Sequence, residues 1–495
     1  MSNIGNIGFS GIGSGLPIDD IIKATVQAES VPLKRLQADK EFAQAQISAY
    51  GQLSSRLSGL RTAMADLKGI DKFEQLKATS GNNELFTATA NHRTGATAGN
   101  YSVEVLKGAD NARWVSEARD REEQLTGAFE LQVDGKTIEF NIEDVLDEGK
   151  RSLDDLRSYL NKEHGEQLSV NLVNVGEVGG NQQARLVINS QISGEAGRFG
   201  AVSIGGLNQD AGLSTQAKDQ AAIDSGDFTT SLDAHIRVDG IDVSSSNNRF
   251  ENVISGVTIN LAEGVNSLVN PGEPRSASLG VAQDKDAIKG RVDNFIMAYN
   301  DLVIHLNEQK KGKLAGESVL RSIENTLRDT LTTPTGDGSD LGNTLSALGI
   351  GTFVERGWNP GDESSSRNGT LEIMDSDRFN DVLENNMERL AFIFGDPETG
   401  YAKRFEQLAT RLERDSVVDG RNQQGLVSSR VQGLNREIGR IDDRITSTDR
   451  RLDLLEQRLY SQFGTVDSLI ANINASGDYL AAQFENLPGY TRNKK

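Results

Sequence analysis

The sequence predicts an α+β multidomain chain, in which long terminal α-helices form a coiled-coil or helical leg domain and β-rich domains are inserted in the middle. Three observations support this fold class. Apolar residues repeat in heptads near both ends of the chain, the apolar period changes to two between about residues 80 and 265, and prolines are absent from residues 33–270 and 398–487.

The N-terminal heptad predicts a helix with an apolar stripe. Leu36 and Ala43 begin the repeat, and its predicted seam is Tyr50, Leu53, Leu57, Leu60, Met64 and Leu67. Between residues 41 and 60 the other faces are mostly Gln, Ser, Ala and Gly. Since so sparsely charged a terminal helix tends to fray alone, we expect its partner to be the C-terminal heptad or the same segment of a neighbouring chain.

The middle of the chain predicts β-hairpins with some helix. Residues 129–133 and 138–142 alternate around Asp134-Gly135, and residues 236–238 and 241–243 repeat this pattern around Asp239-Gly240. An Asp-Gly pair supplies the positive φ angles of a tight hairpin turn. Leu153, Leu156 and Leu160 predict a helix, followed by strands at residues 170–175 and 186–188.

Residues 267–280, which contain Pro271 and Pro274, predict a linker that returns the chain to helical structure. Helical spacing then recurs over residues 288–306, 320–331 and 379–394, and a small hairpin is predicted from residues 348–354 and 370–374.

The C-terminal heptad is the strongest pattern in the sequence and runs from Val427 to Ile473. Its predicted seam is Val431, Leu434, Ile438, Ile441, Ile445, Leu452, Leu455 and Leu459. In a parallel pairing of two chains, Arg444 and Arg451 would face Asp449 and Glu456 of the neighbour. The alternative is one long amphipathic helix packed within its own domain, but the strict 3.5-residue period favours a coiled coil.

Together these elements divide the chain into five predicted segments. They are a flexible N-terminal segment that orders in the assembly (1–40), a helical leg domain (41–78 with 281–430), a β-rich head domain (79–125 with 220–280), a second, inserted β-rich head domain (126–219) and a C-terminal coiled-coil helix (431–495).

The composition excludes several functional classes. The 495 residues include no cysteine, so disulfides, thiolate metal sites and cysteine nucleophiles are excluded. A net charge of −20 disfavours binding to nucleic acid. The N-terminus does not have the pattern of a secretory signal peptide, and no apolar run approaches the ~18 residues of a membrane span.

Motifs for catalysis or cofactor binding are not evident. The four histidines are isolated from one another, the glycines at 11, 13 and 15 do not match the spacing of a nucleotide-binding loop, and Asp337 to Asp340 lacks the glutamate of a calcium loop at position 348. We therefore predict no enzymatic activity, no cofactor, no metal site and no catalytic residue.

Short motifs spread from residue 11 to residue 484 resemble the flagellar hook-associated protein 2 family, the filament cap proteins. The N-terminal motifs are GIGSGL at 11–16, IDDI at 18–21, VPL at 31–33 and SAYGQLS at 48–54; later ones include DAH at 233–235, ISGVTI at 254–259, LGI at 348–350, GTL at 369–371 and YL at 479–480. Pro17 departs from the acidic residue more usual in the family, but a proline is compatible with the start of a helix.

The resemblance implies a non-enzymatic protein that is exported and forms an oligomeric ring at the tip of the bacterial flagellar filament, where it promotes the folding and insertion of flagellin. The implied partners are flagellin, the hook–filament junction proteins and an export chaperone that binds the C-terminal region. The implied location is extracellular, and cell adhesion is left open as a secondary property. The alternatives are a secreted coiled-coil adhesin for glycans and an extracellular hydrolase with an unrecognised carboxylate pair.

Overall fold

The structure, a computed structural model, describes residues 15, 17–269, 275–336, 342–354, 367–413, 416–418, 421–423 and 425–485. The glycine-rich segment 11–14 and the Asp337–Asp340 segment, both discussed above, lie outside the described residues.

The described residues form eleven α-helices and nineteen β-strands. The helices are α1 Ile18–Glu29, α2 Val31–Ala65, α3 Ile142–Val145, α4 Leu153–Glu163, α5 Gln220–Asp224, α6 Lys285–Lys311, α7 Ser318–Thr332, α8 Ser376–Asn385, α9 Met387–Gly395, α10 Tyr401–Glu413 and α11 Leu426–Glu485.

The strands are β1 Leu76–Ser80, β2 Phe86–Ala90, β3 Gly99–Lys107, β4 Asn111–Val115, β5 Arg119–Asp120, β6 Ala128–Val133, β7 Lys136–Asn141, β8 Leu168–Val178, β9 Asn181–Ser193, β10 Val202–Ile204, β11 Ala234–Val238, β12 Ile241–Ser245, β13 Arg249–Ile254, β14 Val257–Leu261, β15 Arg275–Gln283, β16 Ile350–Thr352, β17 Leu371–Ile373, β18 Ser416–Val418 and β19 Arg421–Gln423.

The predicted fold class is confirmed, because long helices occupy both ends of the chain and strands dominate its middle. The chain divides into two compact units. The helical unit is formed by residues 1–73 and 287–495, and the β-rich unit by residues 74–286.

The helical unit has a single large apolar core that draws on both ends of the chain. One face of α2 contributes Tyr50, Leu53 and Leu57, and α6 contributes Val292 and Phe295, all almost fully buried. An aromatic cluster lies inside this core, where the ring of Phe405 on α10 lies 5.6 Å from that of Phe295 and 6.0 Å from that of Tyr299. Two segments that are distant in sequence are thus held together by apolar burial.

The β-rich unit contains two separate apolar cores, which define two lobes. The first lobe has a five-stranded sheet in the order β1-β15-β3-β11-β12 and a three-stranded sheet β13-β14-β2. In the second lobe, β9 pairs with β4, β5 and β8, a second sheet has the order β10-β6-β7, and Leu153, Leu156 and Leu160 of α4 face the core.

Both predicted Asp-Gly hairpins are present. Val133 pairs with Lys136 and Val238 pairs with Ile241. Asp134 and Gly135 have φ angles of 51° and 68°, and Asp239 and Gly240 have φ angles of 49° and 86°. Positive φ at both central residues is the geometry that a two-residue turn needs to match the twist of its strands.

Two predictions on element boundaries are wrong. The predicted linker at 267–280 includes β15, which lies inside the five-stranded sheet and pairs with both β1 and β3. Leu279 and Val281 of this strand alternate into the first lobe's core, and this alternation outweighs the nearby prolines as a signal. The single helix predicted at 379–394 is two helices, α8 and α9, which meet at Asn386.

Candidate assembly surface on the terminal helices

The N-terminal end of α11, which we call its base, is held against α2 and the start of α7 by an ionic contact. The guanidinium of Arg430 donates two hydrogen bonds to the carboxylate of Glu317, at 2.9 and 2.7 Å, and the phenol of the buried Tyr50 donates a third at 2.9 Å. The bonds from Arg430 lower the pKa of Glu317, and burial raises the pKa of Tyr50. Three segments that are far apart in the sequence therefore meet at one carboxylate.

Replacing Glu317 by glutamine is expected to lower the free energy of unfolding of the helical unit by about 1–2 kcal/mol, because an isosteric amide loses the charge-assisted bonds to Arg430. Since the pKa of Glu317 is lowered in the folded state, its stabilisation is present above the ordinary pKa of 4.5 and is lost as the pH falls through the folded-state pKa. Urea unfolding at neutral and acidic pH measures both effects.

The matched control for this variant is Glu324→Gln within α7, where the carboxylate pairs with Lys310 and Arg328 and about a third of the Glu324 side chain stays exposed. An exposed ion pair contributes little to stability. Equal losses in the two variants, or a loss at Glu317 that does not shrink on acidification, would contradict the role given to this carboxylate.

Along the next part of its length, α11 packs antiparallel to α2. Lys40 forms an ion pair with Asp442 at 2.6 Å. Further from the base of α11, the start of α2 at Val31 and Leu36 lies beside Thr448. The direction is antiparallel because residue numbers fall along α2 as they rise along α11.

The first helix continues this arrangement. Ile18 and Ile22 of α1 are buried, and α1 packs on α11, where Asp19 lies close to Tyr460. Partial burial and then the carboxylate of Asp19 raise the pKa of Tyr460. The two N-terminal helices thus follow α11 from Arg430 to about Tyr460.

The residues of the N-terminal predicted seam all lie in the core of the helical unit. Tyr50, Leu53, Leu57, Leu60, Met64 and Leu67 are fully buried within one chain, against α10 and α11 among other helices. Packing of α2 on α11 within one chain agrees with the first of the two expected partners, the C-terminal heptad. A contact of these residues with a neighbouring chain stays a prediction. Leu67 lies two residues beyond the end of α2, so the heptad extended one step too far as a helix prediction.

The C-terminal predicted seam becomes gradually less buried. Leu434, Ile441 and Leu452 are buried, while the partly buried members of the predicted set are Val431, Ile438, Ile445, Leu455 and Leu459. As in the other predicted seam, much of this burial occurs within one chain, because α2 and α1 cover the stripe. Within one chain this part of α11 packs as an amphipathic helix in its own domain, and its pairing with a neighbouring chain stays a prediction.

Beyond Tyr460 the same stripe is uncovered, and we call Val466, Leu469, Ile473 and Leu480 the distal seam. Their exposed fractions are 45%, 59%, 61% and 54%. Residues 461–485 contain three acidic residues and no Lys or Arg. Leu480 was missed by the predicted seam, although it lies seven residues after Ile473 and continues the repeat.

Such a helix carries apolar side chains in water without a partner among the described residues. Contiguous exposed apolar side chains mark a contact surface, and burying one Leu or Ile side chain contributes about 1.5–3 kcal/mol. The distal seam is therefore a surface suited to pairing with another helix. Within the part of the chain that the structure describes, no helix is both long and apolar enough to cross a membrane, and no group of three His, Asp or Glu residues is placed to hold a metal ion.

Comparisons with known proteins agree with the order of these elements. A family model described as the N-terminus of flagellar hook-associated protein 2 matches residues 14–112, and one described as the C-terminus of the same protein matches residues 231–475. The N-terminal match includes α1 and α2, and the C-terminal match includes α11 up to the middle of the distal seam.

Individual relatives match along nearly the whole chain. The A-type flagellar hook-associated protein 2 of Pseudomonas aeruginosa is 27% identical, with 98% of each chain covered. The flagellar hook-associated protein 2 of Escherichia coli (strain K12) is 24% identical, with 97% of this chain and 98% of the relative covered. Among solved structures, the D1-D2-D3 domains of the flagellar cap protein FliD from Escherichia coli have a similar fold, with a TM-score of 0.53, 23% identity, and coverage of 78% of this chain and 99% of that one.

Proposed function

We propose, from the premise that this chain belongs to the flagellar hook-associated protein 2 family, that it caps the distal tip of the bacterial flagellar filament as an oligomeric ring. The observation that carries the proposal is the match of both terminal family models in the correct order, together with relatives that cover 98% of the chain. In this family the role is structural, and we propose no enzymatic activity for this member.

The terminal helices supply a physical basis for the role. The distal seam exposes Leu469, Ile473 and Leu480 on a helix with few charges. Contact of these apolar side chains with water is unfavourable. Partner helices at the filament tip, from flagellin or from neighbouring cap subunits, would remove that surface from water. Contacts of moderate area break and form again, as insertion of successive flagellin subunits requires.

The remaining parts of the proposal concern partners and location. The protein would be exported to the cell exterior and located on the flagellum, with flagellin, the hook–filament junction proteins and an export chaperone as partners, the last at the C-terminal region. The helical unit would form the legs and the two β lobes the heads. The comparisons do not support the adhesin alternative, because the relatives described above are flagellar hook-associated proteins.

The experiment that tests the proposal is deletion of the gene in its own bacterium. Flagellin is expected to appear in the medium as unpolymerised protein, filaments are expected to be lost, and a plasmid copy of the full chain should restore them. A deletion strain that grows filaments of normal length and releases no more flagellin than the parent would rule out the cap function.

A further inference from the structure

The middle of α11 has charges of opposite sign on its two flanks. Between residues 438 and 460 the flank on one side of the apolar stripe carries Arg440, Arg444, Arg451 and Arg458 and no acidic residue; we call it the basic flank. The flank on the other side, the acidic flank, carries Asp442, Asp449, Asp453 and Glu456 and no basic residue. One turn earlier the separation ends, at Glu437.

These positions follow from helix geometry. The arginines lie at heptad positions c and g and the acids at b and e, when the buried Leu452 is placed at a. With 100° per residue, c and g lie on one side of the apolar stripe and b and e on the other. The residues opposite the stripe, Asp443, Arg450 and Gln457, have no net charge, so the separation is confined to the two flanks.

Most of these charges have no ion-pair partner among the described residues. The exception is Asp442, which forms an ion pair with Lys40. Arg440, Arg444, Arg451 and Arg458 are exposed, as are Asp449 and Asp453, and none of the six forms an ion pair in the described part of the chain. Six unpaired charges within 20 residues leave both flanks available to a partner.

The basic flank also lines a groove. At the crossing of α2 and α11, Arg444 and Arg451 stand opposite Arg35, and the exposed Val31 lies at the same groove. Three arginines and one carboxylate, Asp39, give the groove a positive charge. A partner for it therefore presents carboxylates, and this chain presents them on its own acidic flank.

We propose, on the basis of the proposed ring, that the basic flank of α11 in one subunit packs against the acidic flank of α11 in the next subunit. An antiparallel twofold contact would place each flank against the same flank of its partner and bring like charges together. A parallel twofold contact would pair unlike flanks, but it would also bring the two apolar stripes together, and in this part of α11 the stripe is already covered by α2 and α1 of the same chain. Complementary flanks favour a head-to-tail contact, in which each subunit uses two different surfaces. Such a contact repeats around a closed ring, and every subunit then faces in the same direction around it.

The test is self-association of the purified full-length chain, measured by sedimentation velocity in low salt, with three charge variants. Variant A is Arg444→Glu with Arg451→Glu, variant B is Asp449→Lys with Asp453→Lys, and variant C combines all four changes. We expect A and B each to raise the dissociation constant at least tenfold. Variant C, with its flank charges exchanged, should associate nearly as well as the parent, as should an equimolar mixture of A and B.

The matched control is Arg436→Glu with Arg450→Glu, which makes the same charge change at exposed positions opposite the stripe and should leave association unchanged. In 1 M salt the difference between variant A and this control should vanish, because screening then acts within ~3 Å. Circular dichroism verifies that each variant is folded.

Two results separate this inference from the proposed function. Folded variants A and B that associate as tightly as the parent, or a folded variant C that fails to recover, overturn the flank contact and leave the ring. A parent chain that stays monomeric at every concentration overturns the proposed ring and the flank contact with it.

Discussion

Replacing Phe405 by alanine is expected to lower the free energy of unfolding of the helical unit by about 3–5 kcal/mol. Phe405 is fully buried, and its ring contacts Phe295, Tyr299 and Tyr401 at centroid distances of 5.6 to 6.3 Å. Truncation removes the apolar burial of an aromatic ring and leaves a cavity that the surrounding helices fill only in part. A loss of this size is a large share of the 5–15 kcal/mol that stabilises a typical domain.

Chemical unfolding followed by far-ultraviolet circular dichroism measures this loss, because α2, α6 and α10 unfold with the core. The matched control is Phe42→Ala on α2, where the ring is exposed and truncation should change stability by less than about 0.5 kcal/mol. Similar losses of unfolding free energy at the two positions would show that the aromatic cluster is not a main source of the core's stability.

The C-terminal heptad shows what periodicity predicts and what it does not. The repeat placed a helix over Val427 to Ile473, and α11 indeed contains it. Periodicity gives the face that avoids water but not the partner that covers it. Leu434 and Ile473 fit the repeat equally well, yet the first is buried by the chain itself and the second is exposed.

The N-terminal heptad shows the same limit more strongly. The sequence left two partners open for it, the C-terminal heptad and the same segment of a neighbouring chain, whereas Tyr50 and Leu57 lie in a core to which α6 and α10 also contribute. Neither the heptad itself nor its spacing encodes the return of segments as distant in the sequence as α6 and α10. The ionic contact of Glu317 with Tyr50 and Arg430 was unpredictable for this reason.

The net charge is also better understood from the division into units. Residues 74–286 contain 18 Lys and Arg and 33 Asp and Glu, so the β-rich unit carries −15 of the total charge of −20. The helical unit is thus close to neutral, and long-range repulsion between its copies is weak. Local charge order, such as the two flanks of α11, then has more influence on how helices associate.

Changing Leu469, Ile473 and Leu480 together to glutamine is expected to abolish capping and to leave the stability of the isolated protein unchanged. The three side chains are more than half exposed, so the folded chain loses little burial, and glutamine has nearly the helix propensity of leucine. The assembled state, in contrast, would lose about 1.5–3 kcal/mol of burial per side chain. Complementation of the deletion strain measures capping through the flagellin released into the medium, which we expect to rise at least tenfold above the parent's level.

The matched control changes three exposed valines of the β-rich unit, Val173, Val175 and Val178, to threonine, which keeps the shape of each side chain in a strand. This variant also places polar groups at three exposed apolar positions, but these positions lie in a strand and not in a helical stripe. Full filament growth with the control and none with the distal variant would locate the contact on α11, because both variants are equally stable alone. Normal growth with the distal variant would instead mean that the exposed stripe stays in water at the filament tip, and that the cap holds its position through other surfaces.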